Sequence, residues 1–323
     1  MKAIIQDQFG SPDVLELRDV DDPTVDAHEV LVRVRAAAPN PWDWHFMRGL
    51  PYIARPQAGW RKPKNHVLGS DVAGHVEAVG NDVTGFRPGD DVFGFVGHGA
   101  FAEYVSVPQD VLALKPAGLS FEQAATVPLA ATTALQGLRD RGALEPGERV
   151  LIVGASGGVG TFAVQIAKAF GAHVTGVCST RNVELVESIG ADEVVDYTKD
   201  DFTRGSEKYA LIFQLAGMAS PSACRRALTS NGRLVLSSGD SRGRIIGPVS
   251  RVIGAALLSP FVSQSLRTLS VQRSGEDLRF IGELIGAGKV SPVIDKIYPL
   301  RETPDAIRYL ETGRARGKIV IAV

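Results

Sequence analysis

Cysteine is nearly missing from this chain: Cys178 and Cys224 are the only two in 323 residues, so at most one disulfide can form and a four-cysteine structural zinc loop is excluded. No run of about 18 uncharged apolar residues occurs, which excludes a conventional membrane-spanning helix. The opening Met1-Lys2-Ala3-Ile4-Ile5 passes straight to Gln6 and Asp7 instead of the apolar core of a signal peptide, so a cytoplasmic protein is expected. An excess of one charge is lacking too, with 35 Lys and Arg against 36 Asp and Glu, and no global field would hold nucleic acid. What remains is ordinary globular material, 44% hydrophobic and 22% charged, which excludes disorder. At about 150 residues per domain, the length suggests two domains.

Up to about residue 115, short apolar alternations (AIIQDQ, EVLVRVRAAA, HVEAVG, DDVFGFVG, AFAEYVSV) are cut by Gly and Pro, the rhythm of strands and tight turns. From Ser120, an expected N-cap, the texture changes to helices alternating with apolar strands. Strand 149–153, the turn GASGGVG, helix 161–170, strand 173–178, helix 183–189 and strands 193–197, 209–215 and 233–238 follow in order. Such βα alternation predicts an α/β protein with a doubly wound parallel sheet. A helix at 279–285, a strand at 296–299, a helix at 303–312 and a closing strand at 318–323 end the chain. The expected domains are therefore a β-rich one at 1–118, a nucleotide-binding one at 119–266 and a returning segment at 267–323. The apolar, Gly- and Pro-broken stretch 242–266 suits a buried connector, a lid, a hydrophobic substrate wall or a dimer contact.

The most informative string is VGASGGVG, 153–160, because it leaves a buried strand and opens a helix inside a βαβ unit. Gly157 and Gly160 match the last two glycines of the dinucleotide fingerprint, while Ala155 takes the place of the first. Ala155, Ser156, Gly157, Gly158, Val159 and Gly160 would thus face a pyrophosphate with free N–H groups and the positive helix end. Ser156 on such a turn is no nucleophile elbow. At the end of the second strand, where an NAD site places Asp or Glu, the chain has Ser179, Thr180, Arg181 and Asn182. No carboxylate is expected at that turn, and Arg181 would attract a 2′-phosphate, so NADPH is the expected cofactor.

These residues, with LGSDVAGHVEAVG (68–80), RPGDDVFGF (87–95), GAFAEYV (99–105), AATVPLAATTALQGL (124–138) and RARGKIVIAV (314–323), resemble the medium-chain dehydrogenase/reductase superfamily, specifically its zinc-free quinone oxidoreductase branch. The resemblance covers nearly the whole chain. It implies a Rossmann sheet inserted in a GroES-like catalytic domain, with the site in the cleft between them. Zinc enzymes of the superfamily use a Cys in the segment matching 40–43, a His-Glu pair where this chain has Ser70-Asp71, and a Cys near Ala130; none is present, so no metal is expected.

The resemblance further implies a nicotinamide near Asn40, Val127 and Thr132, with Ala216 beside the cofactor, and hydride transfer to a small hydrophobic quinone or other α,β-unsaturated carbonyl. Asn40 is the polar candidate for the developing oxyanion, with Asp43 orienting it; the alternatives are a turn at Asn40-Pro41 and a helix cap at Asp43. An enoyl or alkenal double-bond reductase, an alcohol dehydrogenase-like enzyme and a non-catalytic NADPH-binding protein remain the rival readings. Asp71 reads as part of a structural hydrogen-bond network, and His45, His66 and His98 as loop or surface residues or proton donors. Trp42, Trp44, Tyr52 and Trp60 could wall a flat ligand or simply pack. Gln214 stands where relatives commonly carry Asp. A homodimer through the sheet edge near 266–271 is implied as well.

Overall fold

The computed structural model describes residues 1–217, 219–237 and 262–323. They divide into two compact units, one of residues 1–132, 272–286 and 292–323, the other of 133–271 and 287–291.

The first unit begins with β1 (Lys2–Ile5) and β2 (Glu16–Asp19), an antiparallel pair. Then come β3 (Glu29–Ala38), α1 (Pro41–Arg48), β4 (Asp71–Val79), β5 (Asp91–Phe95), β6 (Tyr104–Pro108), β7 (Leu112–Leu114) and α2 (Phe121–Ala125). β3 shows why such segments become strands: Val32, Val34 and Ala36 are buried while Arg33 and Arg35 between them are exposed, the period of two expected of a half-buried strand. Ser120 caps α2 as anticipated, its Oγ accepting from the Gln123 N–H at 3.2 Å while Gln123 Oε1 accepts from the Ser120 N–H at 3.0 Å.

Helix α3 (Pro128–Gln136) leads into the second unit, which contains β8 (Arg149–Val153), α4 (Gly158–Ala169), β9 (His173–Cys178), α5 (Val183–Ser188), β10 (Glu193–Asp196), β11 (Tyr209–Gln214), α6 (Pro221–Arg226), β12 (Leu228–Leu236) and β13 (Ser265–Thr268). All strand pairs here are parallel, and the order is β10-β9-β8-β11-β12-β13. The strand order reverses between β8 and β11, so the turns after these two strands form the crevice where α/β sheets bind ligands. Most of the expected apolar stretch 242–266 lies outside the described residues, and its last two residues open β13.

The chain then returns to the first unit through α7 (Gly275–Gly286), β14 (Ile294–Pro299), α8 (Thr303–Glu311) and β15 (Lys318–Ala322). A seven-stranded sheet runs β14-β15-β3-β4-β5-β7, with β6 beside β3. Closing β15 pairs with β3, and Ile319 and Ile321 join Val32, Val34, Met47, Leu68 and Phe101 in the core. This pairing places the first residue of β15, Lys318, beside the turn that leaves β3.

Several expected boundaries move: the strand expected from 233 starts at Leu228, and the helix expected from 279 starts at Gly275. The helix expected at 161 starts at Gly158, because Gly157 is extended at φ −83°, ψ 177° and serves as its N-cap. Asp43 is not the cap of α1: Asn40 is, and Asp43 lies three residues in, where its Oδ2 accepts from the Asn40 N–H at 2.7 Å.

Candidate functional site

In the second unit, the turn after β8 is shaped by close packing. Gly154 lies at φ +92°, and a Cβ on it would come within 2.8 Å of the Ala216 Cβ. A Cβ on Gly160 would meet Gly154 O at 2.1 Å, so only glycine lets α4 lie this close to β8. Gly157 differs: its φ is ordinary, and the nearest atom to an added Cβ is Gly154 O at 3.5 Å. Neither backbone conformation nor packing within the protein demands glycine there. The first intrahelical bond of α4 runs from Thr161 N to Gly157 O, so the first-turn amides of Gly158, Val159 and Gly160 have no intrahelical acceptor, the arrangement by which helix N-termini attract anions.

The turns after β9 and β11 join this one. Ala155 N donates to Val177 O at 3.1 Å and Ala216 N to Val153 O at 3.2 Å. Ser156 Oγ accepts from Asn182 Nδ2 at 2.9 Å, which fixes the turn that carries Ser179, Thr180 and Arg181. Thr180 and Arg181 are exposed, Ser179 and Ala216 half-buried, and Ala155 and Ser156 buried. Gln214 turns away from this surface: its Nε2 donates to Ala219 O at 3.1 Å, and its Oε1 faces the buried Cys224 thiol at 3.9 Å.

One expectation is corrected here. A carboxylate does reach the 179–182 turn: Asp196, at the end of β10, pairs in register with Cys178 and accepts from Thr180 Oγ1 at 2.5 Å. It also accepts from Thr198 Oγ1 at 2.7 Å and Thr198 N at 3.0 Å. Hydrogen bonds from Thr180 and Thr198 hold this acid far below the ordinary carboxylate range, and both oxygens are engaged within the protein. Exposed Tyr197 and Lys199 lie on the same segment, and sequence reasoning overlooks them.

In the first unit, four segments distant in sequence meet in one buried network. Asn40 Nδ2 lies 2.8 Å from Asp71 Oδ2, 2.9 Å from Ser70 Oγ and 3.1 Å from Ala38 O. Lys318 Nζ donates to Asn40 Oδ1 at 2.5 Å and lies 3.4 Å from Asp71 Oδ2. Asp71 Oδ1 accepts from the Leu129 N–H at 2.9 Å. Asp43 accepts from Ser70 Oγ at 2.9 Å and from Gly69 N at 3.1 Å. Val127 and Thr132, the other nicotinamide candidates, are buried on either side of Leu129 in the chain.

Electrostatically the network holds two carboxyl groups and one ammonium, all buried. Burial pushes Asp43 up to about 7, against the hydrogen bonds it accepts. Burial raises Asp71 and lowers Lys318, and the charge of each opposes the shift of the other. Asn40 has its amide and carbonyl groups both engaged, so it serves the network before it serves any substrate. Sequence reasoning does not single out Lys318, which reads as the first residue of an apolar closing strand.

The segments meeting here, 40–43, 70–71 and the chain just before Ala130, are those matched to zinc ligands in the superfamily. What they enclose is an ammonium group. Among the described residues no group of three or more His, Cys, Asp or Glu side chains is arranged to hold a metal ion, and no helix is long and apolar enough to cross a membrane.

A doubly wound parallel sheet with a Gly turn at its switch point is the arrangement that holds dinucleotides in α/β proteins. The family models agree: the "Alcohol dehydrogenase GroES-like domain" matches residues 26–117 and "Zinc-binding dehydrogenase" matches 189–321. The chain is 36% identical to 2-methylene-furan-3-one reductase of Solanum lycopersicum, over 99% of this chain and 79% of that protein. It is 33% identical to the chloroplast envelope quinone oxidoreductase homolog of Arabidopsis thaliana, over 99% and 98% of the two chains. The solved quinone oxidoreductase of Escherichia coli in complex with NADPH superposes with a TM-score of 0.86 at 26% identity, covering 100% of both chains. The protein belongs to the medium-chain dehydrogenase/reductase superfamily, in its quinone oxidoreductase-like branch.

Proposed function

We propose that this chain is a zinc-independent, NADPH-dependent reductase of quinones or other α,β-unsaturated carbonyl compounds. The observation that carries the cofactor half is the anion-binding turn at 155–160, packed beside a turn that presents Arg181 and no unengaged carboxylate. When bound, NADPH supplies the hydride. Gly157 to Gly160 would hold its pyrophosphate, Ser179, Thr180 and Arg181 its 2′-phosphate, and Ala216 would complete the cofactor surface of the second unit. Tyr197 and Lys199 extend the phosphate side.

Arg181→Ala is expected to raise the Kd for NADPH by about 10- to 100-fold while changing that for NADH less than about twofold, since a guanidinium-phosphate pair is lost from one cofactor only. Equal losses, measured by calorimetry, would refute the assignment.

The acceptor half follows from the Asn40-Asp71-Lys318 network. Lys318 Nζ lies among the segments that the family resemblance matches to zinc ligands, which favours an acceptor that needs no Lewis acid. A conjugated carbonyl needs none, because it delocalises the charge that arrives with the hydride. Asn40 and Asp43 act as positioning residues: they tie α1 to β4 and so fix the face that α1 presents. The reductase named for a methylene-furanone among the relatives favours enones as a second acceptor class beside quinones.

We further propose a cytoplasmic homodimer. Both cysteines are buried and neither is in a disulfide, which suits a reducing compartment. Among the described residues strand β13 forms the sheet edge, and pairing with its copy would continue the sheet. Light scattering after size exclusion is expected to give twice the chain mass; the mass of one chain would overturn the dimer.

A further inference from the structure

Helix α1 carries two faces. Asp43 and Met47, four apart, are buried, and Trp42 and Phe46, also four apart, form an aromatic stripe with ring centroids 4.9 Å apart. The loop after β5 closes on this stripe. Trp42 Nε1 donates to Gly97 O at 3.1 Å, and Arg273 Nη1 donates to Val96 O at 3.2 Å. Phe95 meets the Trp42 ring edge-on at 6.1 Å. His98 sits at the end of this loop, 4.6 Å from the Phe46 ring and 6.2 Å from Trp42. Trp42 keeps 36% of its surface exposed, which leaves part of the indole for contact.

The imidazole is the unusual member. His98 Nδ1 is sealed from solvent and has no hydrogen-bond partner. Burial and the charge of Arg273 push the ring down to about 4, so it is neutral at physiological pH. A proton on Nδ1 would be a buried donor without an acceptor, at a cost of about 1–3 kcal/mol, and would face the field of Arg273. The proton therefore resides on Nε2, and the half-buried ring carries one uncharged N–H donor near an indole that keeps part of its surface exposed.

We propose that Trp42 and His98 form the binding site for the acceptor of the reductase described above: a planar, electron-poor quinone ring stacks on the indole while one of its carbonyl oxygens accepts a hydrogen bond from His98 Nε2. The proposal rests on the reductase reading for its acceptor class. A flat conjugated ring is what an indole face selects, and a carbonyl is what a neutral N–H donor selects over a cation or a hydroxyl-poor alkene.

Calorimetric titration with 1,4-naphthoquinone, without NADPH, tests it. His98→Phe keeps a ring and removes the donor, and is expected to weaken binding about tenfold, the worth of one hydrogen bond. His98→Gln returns an N–H near the Nε2 position and is expected to stay within about threefold of the parent, whereas His98→Asn, whose amide reaches only the Nδ1 position, is expected to behave like His98→Phe. Trp42→Leu is expected to weaken naphthoquinone about tenfold and the aliphatic enone 1-octen-3-one less than about twofold. The Kd for NADPH, unchanged in each variant, certifies the fold.

Parental affinity in His98→Phe and Trp42→Leu, or no binding of naphthoquinone to the parent, overturns the site. If the parent binds naphthoquinone with these sensitivities but never oxidises NADPH with it, the site stands and the reductase reading falls. Turnover of enones without naphthoquinone binding overturns the site and leaves the reductase reading standing.

Discussion

Replacing Lys318 by Met is expected to cost about 3–5 kcal/mol of folding stability, because it leaves Asp71 as an uncompensated charge in the protein interior. Lys318 and Asp71 are 4% and 0% exposed, and no solvent can take over for the lost partner. Asn40 Oδ1 would lose its donor at the same time. The loss is expected to appear in chemical denaturation as a lower midpoint with an unchanged slope. Adding Asp71→Asn removes the orphaned charge, so the double variant is expected to recover part of the loss, and the coupling between the two positions measures the pair. A cost below about 1 kcal/mol for Lys318→Met would show that the ammonium is not what balances this network.

The second large effect separates two glycines three residues apart. Gly157→Val is expected to leave the denaturation midpoint within about 1 kcal/mol of the parent yet to weaken NADPH by about 100-fold, since a Cβ there would meet nothing closer than Gly154 O at 3.5 Å but would crowd a pyrophosphate. Gly160→Ala is expected to do both kinds of damage, as its Cβ would lie 2.1 Å from Gly154 O and would force α4 away from β8. Its stability loss is expected to be about 2–4 kcal/mol, the range of overpacking against backbone. If Gly157→Val bound NADPH as the parent does, the turn after β8 would not be the pyrophosphate site.

The nucleotide-binding sheet is legible in the sequence because its signals are local. Apolar runs such as 149–153, a Gly turn and a helix follow one another within about 30 residues, and each step carries its own physical reason. The 155–160 turn can be read from a few consecutive residues. What stays hidden depends on pairing between distant strands. Lys318 lies 247 residues from Asp71, and only the register of β15 on β3 brings them together. One lysine at the start of an apolar strand carries no mark of burial. Asp196 escapes notice at the 179–182 turn for the same reason: it reaches Thr180 because β10 lies parallel to β9 with Asp196 opposite Cys178, a register no spacing rule supplies. His98 reads as a loop residue in the sequence, and only the fold brings the aromatic stripe of α1 against it.

The central claim, metal-free NADPH reduction of a conjugated carbonyl, is tested most directly by following cofactor absorbance with NADPH and NADH, a small quinone and an enone, in the presence of a strong chelator. Oxidation of NADPH well above that of NADH, undiminished by the chelator and dependent on the acceptor, is the result expected. Turnover that chelation abolishes, or that prefers NADH, would contradict the account.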